Sequence, residues 1–249
     1  MDRTETLRTE EEIAKAAQDK GIIIRILGSG AAMIHCPLHR DLFEKLNRPI
    51  TDIDMITYRK FSNLVTEVCK DFGFSPDERF NLLHGESRQI YHKRDLTFEI
   101  YFDKLEMCHT VDFKGRLELD FPTITLADLL LEKIQIVNIN EKDIKDVTIV
   151  LSEHEVGSEN KETVNADYIA KILSNDWGFY YTSSVNLAKI ANYLYKFEIL
   201  DEQDRKNVKL RIDKINKRIE EEPKSLGWKM RARVGTNRKW YREVEEIAR

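Results

Sequence analysis

Asp52-Ile53-Asp54-Met55-Ile56-Thr57 sets two carboxylates two residues apart in a run that alternates acidic with apolar side chains. That is the period of a strand whose two acids share one face. Upstream, the β-branched run IIIRIL at 22–27 stops at Gly28-Ser29-Gly30, the punctuation of a strand entering a tight turn. A helix leaving such a turn offers its first amides and the positive end of its dipole to phosphate. Acidic side chains on adjacent strands can hold Mg²⁺ or Mn²⁺, hard cations that take oxygen ligands and commonly bridge to substrate phosphates. Two such ions about 3.5–4 Å apart activate an attacking hydroxyl and stabilise a leaving pyrophosphate. The chemistry implied is transfer of a nucleotidyl group. Further acids stand downstream in LTFEIYFD, at Glu99 and Asp103.

The elements that must position these groups are legible in outline. Thr9 and Glu12 form a capping box ahead of Ile13, Ala16 and Ala17, so a short helix is expected up to Gly21. After the strand at 22–27, residues 31–46 have helical spacing broken at Pro37, the acidic strand follows at 52–57, and Tyr58–Phe72 reads as a helix closed by Gly73. FNLLH, a Gly-Glu-Ser turn and RQIYH read as a hairpin that leads into LTFEIYFD. In that last strand Leu96, Phe98, Ile100 and Phe102 alternate with Thr97, Glu99, Tyr101 and Asp103, placing Glu99 on a polar face. Short strands are expected near Thr110–Phe113 and Arg116–Leu119, and helices throughout from Thr125. Strands early and helices late make an α+β chain: a mixed sheet with flanking helices over 1–155, then a helical bundle over 156–249.

At this level the chain resembles the nucleotidyltransferases of the DNA-polymerase-β type. Leu27-Gly28-Ser29 matches their hydrophobic-Gly-Ser element and Asp52-Ile53-Asp54 their acidic strand; their third acid, on a later strand, is taken by Glu99 where Asp is commoner, with Asp103 as its rival. It looks closest to the AbiEii-like abortive-infection toxins, in which an Arg and a Ser or Thr precede the two acids, as Arg48 and Thr51 do here. Glu132-Lys133 and Lys142-Asp143-Ile144-Lys145-Asp146 are similar to two further motifs of that branch. The resemblance spans about residues 20–155, with a 22-residue spacer between Ser29 and Asp52. It implies a nucleotidyltransferase-type fold in which Asp52, Asp54 and Glu99 bind Mg²⁺ and Glu99 helps deprotonate the acceptor. It further implies that Gly28 and Ser29 hold the triphosphate of an NTP, Lys133 contacts phosphate and Asp143 supports the site. An RNA acceptor and an antitoxin-like protein partner follow from the same branch.

Composition sets the frame for these expectations. Of 249 residues 41% are hydrophobic and 34% charged, enough apolar material for a sizeable core and too much for a disordered chain. The apolar stretches fall short of the roughly 20 residues of a spanning helix, so no membrane partner is expected. The first twenty residues lack the pattern of a secretory signal. Three scattered cysteines without a CxxC pattern fit a reducing cytoplasm. The net charge of −4 is uneven, with −9 over 1–164 and +5 over 165–249.

Most of the positive excess lies in KSLGWKMRARVGTNRKWYR at 224–242, where seven basic residues interleave with Trp228, Trp240 and Tyr241. Basic groups neutralise phosphates and aromatic rings stack on unpaired bases, so Arg231, Arg233, Arg238 and Lys239 make a possible RNA-contacting surface. The plain alternative is a solvated tail whose tryptophans anchor it to the body. Asp176-Trp177-Gly178, with Tyr180 and Tyr181, reads as a segment that caps or packs the helical domain. His35-Cys36-Pro37-Leu38-His39 has no evident fourth metal ligand, and Cys108-His109 has no orienting third group for a thiol nucleophile. Two other functions stay open: nucleotidyl transfer to a cationic small molecule of the aminoglycoside kind, drawn by the acidic front half, and a catalytically silent nucleotide- or partner-binding module.

Overall fold

The computed structural model describes residues 3–244 and is an α+β fold built on a mixed sheet. Helix α1 (Arg3–Asp19) runs beside edge strand β1 (Ile24–Ile26), burying Leu7, Ile13, Ala14 and Ala17 on one stripe. It starts earlier than the capping box implies. Thr9 sits inside the helix, and its hydroxyl donates to the Glu5 carbonyl at 2.8 Å. Helices α2 (Gly28–His35) and α3 (Arg40–Lys45) flank Pro37, and β2 (Ile53–Thr57) carries Asp54.

Beyond β2 come α4 (Ser62–Asp71), β3 (Ser75–Pro76), α5 (Glu78–His84), β4 (Arg88–Lys93) and β5 (Leu96–Phe102). FNLLH is therefore helical rather than the first arm of a hairpin. The Asp77 side chain accepts from the Phe80 amide at 2.9 Å, and that cap turns the chain into a helix despite the apolar run. The hairpin is β4–β5. The five strands order as β1-β2-β5-β4-β3, with β2 and β5 parallel and all other pairs antiparallel. Residues 122–124 cover the free edge of β1: Ile26 N–H donates to the Pro122 carbonyl, and Ile124 N–H donates back to Ile26.

A small ribbon of β6 (Lys104–Glu106) and β7 (Thr110–Asp112) follows, and no strand forms at 116–119. The rear half is helical with one exception. Helices α6 (Leu126–Ile134) and α7 (Glu141–Glu153) lead into a parallel pair, β8 (Glu155–Gly157) and β9 (Thr163–Asn165). Then come α8 (Ala166–Leu173), α9 (Trp177–Tyr193), α10 (Glu202–Glu221) and α11 (Leu226–Val234). Six of these helices open on a side chain that accepts an amide of the first turn, from Thr125, Asn140, Asn165, Asp176, Asp201 and Ser225. No helix among the described residues is long and apolar enough to cross a membrane.

One apolar core runs from Leu7 through the sheet and α6–α7 to Ile219 in α10, passing across residue 155 without a break. One buried charged pair ties the loop before β2 to α7. The Arg48 guanidinium meets Asp146 of α7 fork to fork, with Nε to Oδ1 and Nη2 to Oδ2 both at 2.8 Å, and both side chains are buried. Breaking a buried pair from one side leaves an uncompensated charge, which costs about 3–5 kcal/mol. Asp146→Ala should therefore lower the unfolding free energy by at least about that amount in denaturant titrations, since Asp146 also lies 3.3 Å from buried Lys133. A single-variant loss below about 1 kcal/mol would show that the pair does not hold this loop.

Candidate functional site

Parallel pairing of β2 with β5 puts Asp54 directly opposite Glu99. Neighbouring strands lie about 4.8 Å apart, so paired side chains on one face are forced together. Asp52 stands two residues earlier, just before β2, and takes a hydrogen bond from the Thr51 hydroxyl at 3.1 Å. Asp103 lies at the far end of β5, in a left-handed turn conformation, and accepts the Arg59 amide at 3.0 Å. Between the two rivals for the third carboxylate, Glu99 is the one that shares a face with Asp54. That face is covered rather than open: Glu99 is 5% exposed. The Tyr101 hydroxyl donates to Glu99 Oε2 at 3.0 Å, and Arg88 Nη1 lies 3.3 Å from the same oxygen.

The glycine turn closes against these acids. Gly28 has φ of +63°, and a side chain there would put Cβ 3.2 Å from Asp54 Oδ2, so both backbone and space call for glycine. Its N–H donates to Glu132 Oε2 at 3.1 Å. Ser29 is half-buried in the first turn of α2, and at Gly30 a Cβ would fall 2.2 Å from Glu10 Oε2. The start of α2 is thus ringed by the carboxylates of Asp54, Glu132 and Glu10. Sequence reasoning missed Glu10. Its signal is a glutamate three residues after Leu7 and three before Ile13, on the buried stripe of α1, where only 1% of it is exposed and Oε2 has no hydrogen-bond partner.

On the helix side, Lys133 is buried with its Nζ 3.3 Å from Glu132, 3.4 Å from Asp143 and 3.3 Å from Asp146. Burial alone would lower its pKa, but Glu132, Asp146 and Asp143 together outweigh burial and hold it well above the usual lysine range. It is a fixed cation at the heart of the cluster rather than a side chain reaching into solvent. Asp143 is placed by the helix start, where the Asn140 side chain caps its amide at 3.0 Å. Lys142 is exposed.

The balance of charge on the sheet side is the reverse. Burial, then the charges of Glu99 and Glu132, push the Asp54 carboxyl up from its ordinary 3.8 to about 7, with Lys133 opposing and Asp52 adding to the rise. Glu132 and Glu10 are raised chiefly by burial as well. Burial and the neighbouring charges of Asp54 and Glu99 raise Tyr101, which keeps its hydroxyl a neutral donor. The donors gathered here are all oxygens, as Mg²⁺ requires. Among the described residues no three His, Cys, Asp or Glu side chains stand close enough to form a finished metal site. What fits the ion is the crowding of Asp52, Asp54, Glu99 and Glu132, which a divalent cation would relieve, and the orphaned Glu10 oxygen beside them.

Other residues singled out by type have structural employment. His35 Nε2 lies 2.8 Å from the Ile124 carbonyl and 2.9 Å from the Thr123 hydroxyl, and Cys36 is buried. His39 pairs with Glu153 at 3.1 Å. His109 stacks on Phe179 and bonds the Thr182 hydroxyl. The basic tail is largely used up in packing. Arg231 lies over the Trp177 ring and donates to the Gly235 and Arg238 carbonyls, and Lys239 pairs with Glu243. Trp240 donates to Thr182 and meets Tyr181 edge-on, while Trp228 meets Tyr180. The rings expected to stack on bases thus anchor the tail to α9. Arg233 and Arg238 remain exposed.

Folding protonates Asp54 between pH about 4, where the unfolded chain releases that proton, and about 7, where the folded chain does. The folded state therefore binds more protons in this window and loses stability as pH rises through it. Asp54→Asn should raise the unfolding free energy by about 2–4 kcal/mol at pH about 8 and change it little at pH about 4. An Asn variant that melts below the wild-type chain at the higher pH contradicts this account of the cluster.

No family model, curated protein or solved structure matches the chain, so the chemistry of the site has to be argued from its own geometry.

Proposed function

We propose that the chain is a Mg²⁺-dependent nucleotidyltransferase that moves a nucleoside monophosphate from an NTP to an acceptor hydroxyl. The observation that carries this reading is the pairing of Asp54 with Glu99 on parallel strands against the Gly28 turn. Asp52, Asp54 and Glu99 would hold the metal, which when bound supplies charge neutralisation for the triphosphate and the leaving pyrophosphate.

The residues themselves have separable tasks. Glu99, oriented by the Tyr101 hydroxyl and Arg88, takes the proton as the acceptor oxygen forms its bond to the α-phosphorus. The bond from that phosphorus to the bridging oxygen breaks, and pyrophosphate leaves with the electron pair. The Gly28 amide is the phosphate-facing donor of the turn, and it is held by Glu132. Entry of a triphosphate replaces Glu132 there, and Lys133, 3.3 Å from Glu132, retains that carboxylate. Asp143 and Asp146 keep Lys133 charged and in place.

The occupied turn is also the one observation that favours a silent binding module, and a single assay separates the two. Pyrophosphate release from each NTP with Mg²⁺ and a mixed acceptor pool should be clear for the wild-type chain and fall at least about a hundredfold in Asp54→Asn and Glu99→Gln. No release from any NTP, or release unchanged in both variants, overturns the enzyme reading.

A further inference from the structure

A second feature is formed by Arg88 and Tyr101, two side chains that contact Glu99. Between α5 and the β4–β5 hairpin lies a cleft of about 260 Å³ whose lining includes Phe80, His84, Arg88, Tyr101, Lys104 and one acid, Glu106. Its floor is an arginine held flat between two rings. The Arg88 guanidinium carbon sits 4.8 Å from the centre of the Phe80 ring and 5.6 Å from that of Tyr101. Nη1 faces Glu99 and the Tyr101 hydroxyl, while Nε and Nη2 have no hydrogen-bond acceptor among the described residues. A guanidinium fixed in this way presents a planar pair of donors that matches a phosphate or a carboxylate edge.

Aromatic and cationic groups share the wall. His84 is exposed, with its ring 4.8 Å from Phe80, and it offers a face to a planar ligand. Lys104 is exposed at the mouth, where Glu106 lies 3.1 Å away and is also approached by Arg242 at 3.5 Å. An exposed imidazole face, the Arg88 guanidinium between two rings, and Lys104 beside Glu106 suit a ligand that carries both a flat ring and an anion. They do not suit a polycation of the aminoglycoside kind. The tail, by contrast, has spent its tryptophans and Arg231 on internal packing.

We propose that this cleft is the acceptor subsite and that it receives a nucleoside phosphate, with base against His84 and Phe80 and phosphate on Arg88 and Lys104. The assignment rests on the nucleotidyltransferase reading for the word acceptor, because it sets the ligand's hydroxyl beside Glu99; the binding site itself does not. The same chemistry is offered by the end of a single-stranded RNA and by a free mononucleotide.

Fluorescence anisotropy with a short labelled single-stranded RNA and the full chain, in Mg²⁺ without NTP, tests the site apart from any transfer. His84→Ala and Lys104→Gln, both at exposed positions, should each loosen binding about fivefold to a hundredfold. Arg233→Gln/Arg238→Gln should leave it within about twofold. Adenosine monophosphate that competes for the labelled RNA at equal concentration marks the mononucleotide as the ligand, and competition only at large excess marks the RNA end; either supports the site. Failure of both probes to bind, or binding lost through the tail variant and retained in the cleft variants, overturns it. Binding with this pattern in a chain that releases no pyrophosphate upholds the cleft and removes only the transferase reading. Phe80→Leu with an unchanged thermal midpoint gives a third check, since it removes the ring without emptying the space.

Discussion

The Lys133 ammonium is the interaction on which the rest of the site depends. Buried where a lone cation would lose its charge, it stays charged because Glu132, Asp143 and Asp146 surround it at 3.3–3.4 Å. Each of those contacts fixes something else. Asp146 also grips Arg48 and so fastens the loop that leads to Asp52 and β2. Glu132 turns its other oxygen to the Gly28 amide and closes the glycine turn. A single positive charge thereby sets the distance between α6, α7, the turn and the sheet.

The sheet side carries the opposite imbalance. Asp52, Asp54, Glu99 and Glu132 stand near one another, and burial with the charges of Glu99 and Glu132 pushes the Asp54 carboxyl up to about 7. A fold does not gather this much like charge for stability, since every added carboxylate raises the cost of the next. In the proposed reading a divalent cation enters here and relieves that crowding. Tyr101 and Arg88 orient Glu99, and the same two side chains line the cleft beyond it.

Much of this arrangement was legible in the residues because it follows from local rules. The alternation running through Asp54-Met55-Ile56 marked strand β2, although Asp52 falls just before it, and the GSG punctuation marked the end of β1, its residues forming the first turn of α2 rather than a turn ahead of it. Register decided what alternation could not: Glu99 and Asp103 share a face in the sequence, and only the pairing of β2 with β5 shows which one meets Asp54. Helix α5 was hidden because the Asp77 cap outweighs an apolar run that reads equally well as a strand. The capping box at Thr9 failed for the opposite reason, the helix having begun a full turn earlier. Glu10 and the anchoring roles of Trp228 and Trp240 are tertiary facts, set by which surface each side chain meets, and composition could count those residues but not orient them.

The central claim is that the crowded carboxylates form a cation site centred on Asp54. Calorimetric titration of the full chain with Mn²⁺, in the absence of nucleotide, measures it most directly. The account predicts saturable binding by the wild-type chain that weakens at least about tenfold in Asp54→Asn and in Glu99→Gln, and that survives in Asp103→Asn. Saturable binding of equal strength in all four proteins, or none in the wild-type chain, would contradict it.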